Sequence, residues 1–371
     1  MVRSLGKGLF GIILAVSSGG CGLTFSGPLD SGTGDLVASS TAVVWVDGTL
    51  SLAGELVTTD AVDVFDLGAL ASGTRLTVEV VGSAGLDPVA TVFDAQDNRF
   101  AFADDVDYPA GELSAVIDEV VRHASDHYLL AIAGFGIPPK PATTGSYTAR
   151  VTRSDEAAPS PAGHTFVVRY QGGSGVFIDD EILGRLGPWD VPAFDPQTVI
   201  PTYADAIDTI KPALNEAIRE IFAEFDLTVI TDDDADAVAE AEPVSGIYLV
   251  FNVDEAAFLV NRNILGVARA DAFNRQKDDA IFVFVEGLAG RSPNADMFVS
   301  NTANLIAHEM GHTLGLLHVD VPGSLLNPNL ALGACCALLP IRRGPMVEFP
   351  IGFEDQALLL EETLGRVDGG M

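Results

Sequence analysis

The sequence predicts an α+β chain of two domains. The first is an antiparallel β-sandwich. The second is an α/β domain with a mixed sheet, one long helix carrying the chemistry, and a closing C-terminal helix. Three observations predict this. Short apolar-alternating segments fill residues 41–152. Buried-type strands alternate with helical patterns over 164–371. A Pro- and Ala-rich break, SDEAAPSPAG, separates the two blocks within 153–163. At roughly 100–200 residues per domain, 371 residues suit two or three domains.

In the first block, Val62–Leu67, Arg75–Val81 and Ser146–Val151 alternate at period two, with Gly, Pro, Asn and Asp between them. This is the pattern of half-buried antiparallel strands. In the second block, 165–170 reads as a strand, and 227–230, 247–251 and 280–285 read as buried strands. Residues 203–225 place Ile207, Ile210, Leu214, Ile218, Ile221 and Phe222 on one helical face. A helix is expected over 298–314, with Asp296 or Ser300 as N-cap, and another over about 354–365.

The N-terminus reads as an export signal, residues 1–21. Arg3 and Lys7 precede a short apolar run, Leu9 to Val16, which is too short for the roughly 20 residues of a membrane span. Ser18-Gly19-Gly20-Cys21 resembles a bacterial lipoprotein cleavage site, with Cys21 as the lipidated residue. Ordinary secretion and an uncleaved anchor are the alternatives. Residues 22–40, rich in Gly, Ser and Thr, suit a flexible tether. The expected location is the cell surface or outer membrane, otherwise the medium, with membrane contact only through the lipid.

Asp plus Glu number 52 against 20 Lys plus Arg, a net charge of -32. Phosphate backbones would be repelled, so nucleic acid is excluded as a partner. Of the three cysteines, Cys335 and Cys336 are adjacent, which rules out a disulfide framework. Two small buried side chains are expected there, a strained ring being the alternative.

The chemistry is concentrated in HEMGHTLGLLH, residues 308–318. His308 and His312 lie one helical turn apart, about 6 Å along the axis, on one face. Two imidazoles so placed can share one Zn²⁺, and Glu309 beside them can take a proton from metal-bound water. His318 would lie about 9 Å beyond His312 on an unbroken helix, out of reach of the same ion. The helix must therefore end between them, and Gly315 is the breaker. Three of the six histidines fall at these places.

This motif resembles the metzincin clan of zinc metallopeptidases. The resemblance implies an endopeptidase acting on protein or peptide substrates. His308, His312 and His318 would bind one zinc, Glu309 would be general base and acid, and Met346 in RGPMV would be the Met-turn residue. Val319 and Glu348 match no well-known subfamily. The clan adds substrate to an edge strand, and Gly266, Val267 and Ala268 lie where that strand is expected. The first block resembles the bacterial pre-peptidase C-terminal domain through Asp63 and Phe65, Gly73 to Val80, Leu86-Asp87-Pro88 with Asp94, and Gly145 with Tyr147. That module usually follows the peptidase; here it precedes it. The alternative function is a catalytically silent surface binding protein acting through the sandwich.

Weaker signals remain. His123 and His127 share a helical spacing but lack a third ligand, and His164 is expected to be structural. Asp232, Asp234 and Asp236 mimic an EF-hand opening, but Ala237 replaces the required Gly. Asp104, Asp105 and Asp107 form an acidic loop that could take Ca²⁺. Asp320 could bond a ligating histidine from behind, although a solvated turn residue is the default reading. The sequence leaves the oligomeric state open.

Overall fold

The computed structural model describes residues 36–367, apart from 84, 107–109, 137–140, 181–183, 197–202, 204–205, 252–264 and 331–335. The export signal with Cys21, nearly all of the tether, Asp107 and Cys335 therefore lie outside the described residues. The chain divides into two units. One holds 36–160 together with Arg343–Asp355. The other holds Pro161–Arg342 and the chain from Gln356 onward.

The first unit starts with a short helix, α1 (Leu36–Ser39), inside the stretch expected to be tether. Its nine N-terminal strands are β1 (Thr41–Ala42), β2 (Thr49–Leu56), β3 (Val62–Leu70), β4 (Thr74–Gly82), β5 (Pro88–Asp94), β6 (Arg99–Ala103), β7 (Ala115–Val120), β8 (Ser125–Gly134) and β9 (Gly145–Asp155). They form two sheets, ordered β1-β3-β8-β5-β6 and β2-β9-β4-β7. All pairings are antiparallel except the two-residue β1, which runs parallel to β3. In β4 the alternation is direct: Leu76, Val78 and Val80 are buried while Glu79 is exposed. β9 continues through Asp155, into the residues expected to be linker.

β5 is buried at every position, unlike a strand with one wet face. Arg343–Asp355 explains this. Its strands β17 (Arg343–Pro345) and β18 (Phe353–Asp355) pair antiparallel, and Phe349 between them packs on Phe93 and Phe102 at 5.9 and 6.4 Å between ring centroids. Asn98 bridges Phe353, and Arg343 donates to Asn98 Oδ1 at 2.6 Å. Arg99 and Glu354, 4% and 0% exposed, form an ion pair at 2.8 Å. Removing one partner of such a pair strands the other charge in the interior, at about 3–5 kcal/mol. Arg99→Ala is therefore expected to lower unfolding stability by about that much in denaturant titration. Arg99→Met with Glu354→Leu should recover most of it.

The second unit carries a five-stranded sheet ordered β13-β10-β14-β16-β15. Its strands are β10 (His164–Val168), β13 (Leu227–Thr231), β14 (Ser245–Val250), β15 (Gly266–Val267) and β16 (Ala280–Phe284). β13, β10, β14 and β16 are parallel and β15 is the antiparallel edge, so the sheet is mixed. A hairpin, β11 (Gly173–Asp180) and β12 (Gly184–Val191), puts Ile178 and Val191 into a cluster with Val250, Val267, Phe282 and Phe284. Helix α2 (Ile207–Ile221) buries Ile210, Leu214 and Ile218, three positions of the apolar face read from the sequence. It is shorter than expected at both ends. Helix α3 (Ala235–Ala241) has Asp234 as N-cap, accepting from Ala237 N at 3.0 Å. Asp232 accepts from Tyr170 N and Gln171 N. The apparent EF-hand opening is thus a helix start and a turn clamp. The remaining α-helices among the described residues are α4 (Val285–Ala289), α5 (Ala295–Thr313) and α6 (Gln356–Leu364). Among the described residues no helix is long and apolar enough to cross a membrane.

His164 has the expected structural role. It is 6% exposed, bonds Ser245 Oγ at 2.8 Å and meets Phe166 edge-on. Burial, aided by Lys277, lowers its pKa to about 4. Below pH 6.5, the ordinary histidine value, the unfolded chain takes up a proton that the folded chain refuses until about pH 4. The stability is whole above pH 6.5 and is lost as pH falls to 4, by about 3 kcal/mol. Denaturant titrations between pH 7.5 and 4 should show a smaller loss in His164→Gln than in wild type; equal losses would refute the assignment.

Candidate metal centre

Helix α5 builds the site. Its N-cap is Asn294, whose side chain accepts from Met297 N at 2.9 Å; Asp296 and Ser300, the expected caps, lie inside the helix. Asn304, one turn before His308, anchors the loop beyond the motif. Its amide donates to Ala337 O at 2.9 Å and accepts from Leu339 N at 2.8 Å.

The helix ends where the ligand geometry requires. Leu314 is the C-cap, and Gly315 follows with φ +91°. Gly315 N donates to His312 O and Leu316 N to Gly311 O, both at 2.9 Å. These are the two bonds of a Schellman motif, which closes a helix through a left-handed residue. The reversal brings His318 back to the helix face. A Cβ on Gly315 would meet backbone at Phe273 N, Ala272 Cα and Asp271 O, at 2.9, 3.0 and 3.1 Å. Left-handed φ and close backbone approach both demand glycine here.

The three ligand candidates converge. His308 Nε2 lies 3.1 Å from His312 Nε2 and 3.2 Å from His318 Nε2. All three residues are buried, at 0, 0 and 3% exposure. His308 Nδ1 lies 2.6 Å from Leu325 O and His312 Nδ1 lies 2.8 Å from Leu316 O. A carbonyl can only accept, so each Nδ1 carries the hydrogen and each Nε2 of the neutral ring presents a lone pair. Lone pairs so close repel unless a cation lies between them. Tetrahedral arms of about 2.0–2.1 Å place ligand nitrogens about 3.3 Å apart, so the cluster fits zinc. Burial lowers the His308 pKa well below the usual value, and burial with His318 nearby takes His312 to about 3. Both effects favour the neutral, ligating form. The carbonyls fill the part that Asp320 could have taken, and Asp320 itself is exposed, as a solvated turn residue would be.

Glu309 is 0% exposed, and neither carboxylate oxygen has a hydrogen-bond partner among the described residues. Burial raises its pKa well above the ordinary carboxylate value. A buried carboxylate on the helix that carries two of the three converging imidazoles is suited to proton transfer.

The other sequence candidates fall as follows. Gly266 and Val267 form β15 and Ala268 follows it; all three are buried, at the sheet edge. Met346 is 7% exposed, in the segment that belongs to the first unit. Val319 is fully buried and Glu348 partly so. His127 pairs with Asp66 at 2.9 Å, whereas His123 lies 3.5 Å from Asp94, so their spacing serves two separate carboxylates. Cys336 is exposed, contrary to the buried pair expected. Of the acidic loop, Asp104 and Asp105 come together with Asp87, one oxygen from each within 4.8 Å of the others. Burial, then the Asp87 charge, raises Asp105 to about 7.

Sequence reading missed four contributors: the carbonyls of Leu316 and Leu325; Asp271, whose N–H donates to His312 O at 3.0 Å; and Asp87 in the acidic group. Backbone groups leave no residue-type signal. Asp87 was visible only as part of a strand signature.

No protein-family model matches the chain. Archaemetzincin of Saccharolobus solfataricus is 30% identical over 81 residues, covering 21% of this chain and 44% of that protein. The chain thus spans less than half the length of this curated relative. Archaemetzincin from Methanopyrus kandleri is a structural neighbour at 14% identity and TM-score 0.24, over 46% of this chain and 89% of the other. The pre-peptidase C-terminal domain of Bacillus anthracis collagenase matches 30% of this chain and 92% of its own, at 16% identity and TM-score 0.23. The Aeromonas hydrophila inhibitor of g-type lysozyme, PliG, matches 31% of this chain and 96% of its own, at 16% identity and TM-score 0.24. Scores of this size assign neither fold nor function.

Proposed function

We propose that the chain is a zinc-dependent endopeptidase of metzincin type, cleaving protein or peptide substrates. The carrying observation is that His308 Nε2 lies 3.1–3.2 Å from the Nε2 atoms of His312 and His318, all buried, on a helix whose Glu309 carboxylate is buried and has no hydrogen-bond partner among the described residues. The sequence similarity to archaemetzincin supports the same reading.

His308, His312 and His318 would hold the ion, kept in the ligating tautomer by the Leu325 and Leu316 carbonyls in the two cases seen. Zinc bound there supplies Lewis acidity toward a peptide carbonyl and toward water. Glu309 accepts a proton from the attacking water and passes it to the leaving amine nitrogen. Burial excludes bulk water from the carboxylate and strengthens its electrostatics. Backbone at Gly266, Val267 and Ala268 aligns the substrate as an added strand, a role supported by the edge position of β15. Met346 is assigned as the Met-turn residue on its sequence context.

A chelator should abolish cleavage of a mixed peptide library, and stoichiometric zinc should restore it. Hydrolysis that persists in metal-free protein would sink the proposal. Export with lipidation at Cys21 belongs to the same reading, and labelled fatty acid lost in Cys21→Ala is its test. A second cation, calcium, is assigned to Asp87, Asp104 and Asp105; calcium absent after dialysis would refute it.

A further inference from the structure

We infer that Gly266 is a positioning residue for Glu309: the absence of a side chain on the edge strand creates the space in which the carboxylate sits. This rests on the proposed function for its catalytic meaning, and on packing alone for its structural meaning.

The observation is specific. A Cβ placed on Gly266 would have as its three nearest neighbours Oε1, Cδ and Cγ of Glu309. Cδ and Cγ would lie at 2.7 and 2.8 Å, and Oε1 closer still. Unbonded carbons do not approach so closely, so one side must move. The backbone is no obstacle, because Gly266 is not among the positive-φ residues. β15 is hydrogen-bonded to β16, with Gly266 opposite Val283, and the flanking Leu265 and Val267 are 3% exposed. The strand is therefore anchored, and Glu309 is the group that must yield. Its carboxylate has no hydrogen bond among the described residues to hold it in place. Contact with a bare stretch of strand backbone fixes its position, and any side chain at 266 pushes it out of line.

The consequence is a steric code at one position. Gly266→Ala should lower kcat by about 10²-fold, the scale expected when a reacting group is displaced by about 1 Å. Zinc content should stay near wild type, because the imidazoles are not touched. A merely structural role would lower kcat and zinc content together.

The deciding experiment is a double-mutant cycle in thermal stability on full-length, zinc-loaded protein. Gly266→Ala should lower Tm in the wild-type background. In a Glu309→Ala background Cγ, Cδ and both oxygens are gone, so the added methyl should leave Tm unchanged or raise it, as Gly→Ala does where the backbone permits. Equal Tm losses in both backgrounds would overturn the inference. So would a coupled cycle in which Gly266→Ala retains full kcat. The cycle reads the contact whether or not a substrate is found. A coupled cycle in a protein that hydrolyses nothing would remove the peptidase reading while supporting the packing of Gly266 on Glu309.

Discussion

Glu309→Gln is expected to reduce peptide hydrolysis by about 10²–10⁴-fold while the protein still binds one zinc. The side chain is fully buried and makes no hydrogen bond among the described residues, so a near-isosteric amide keeps the packing. What it loses is the ability to accept and return a proton. The metal-free forms give a second, opposite-signed readout. Burial holds the Glu309 carboxyl well above 4.5, so the folded protein retains a proton that the unfolded chain releases. Its stabilising contribution is complete below pH 4.5 and is lost as pH rises through the higher folded value. Glutamine cannot ionise. Metal-free Glu309→Gln should therefore be more stable than metal-free wild type at neutral pH, with the gap closing in acid. Undiminished hydrolysis by the zinc-loaded variant would remove Glu309 from the chemistry. A stability gap independent of pH would refute the burial argument.

Gly315→Ala is expected to weaken zinc binding by about 10- to 100-fold, the cost of disturbing groups that orient metal ligands. It should also destabilise the fold by about 1–3 kcal/mol, the cost of holding a non-glycine residue in a sparsely populated conformation. At φ +91° a Cβ is strained, and here it also meets three backbone atoms of 271–273. The turn it would distort supplies the Leu316 carbonyl to His312 and leads directly to His318. Gly323→Ala is the control. That residue has φ +74°, and a Cβ there meets nothing within 4 Å. It carries the backbone penalty without the collision. A competition titration against a chromophoric chelator separates the two. If both variants bind zinc equally well, Gly315 matters for its φ alone and the close packing is irrelevant to the ligands.

How much of this was legible follows from the range of the interactions. The motif helix could be read because His308, Glu309 and His312 are placed by local periodicity, and Gly315 because only glycine tolerates the ending. The Asn294 cap was missed because Asp296 and Ser300 are equally good cap types, and only geometry chooses among them. Asp232 and Asp234 have the spacing of metal ligands because carboxylate spacing does not distinguish a cation loop from a cap, and Ala237 in place of glycine argued against a cation. Asp320 was a reasonable partner for a histidine by type, but main-chain carbonyls took that part, and every residue carries one.

The segment 343–355 is the larger case. Sequence order assigns it to the second domain, yet Phe349, Glu354 and Arg343 make their contacts with Phe93, Arg99 and Asn98. The full burial of β5 was the trace it left in the sequence: Pro88–Asp94 is apolar on both faces apart from Thr91 and Asp94. Nothing local says what covers the second face.

By itself, the sequence determined the periodic elements, the candidate ligand set and the glycine that ends the helix, because each depends on residues a few positions apart. Tertiary structure alone decided which carbonyls orient the imidazoles, that Gly266 faces Glu309, and that 343–355 completes the first unit. Those contacts join residues distant in the chain, and they are chosen by burial and close packing, which no single stretch of sequence encodes.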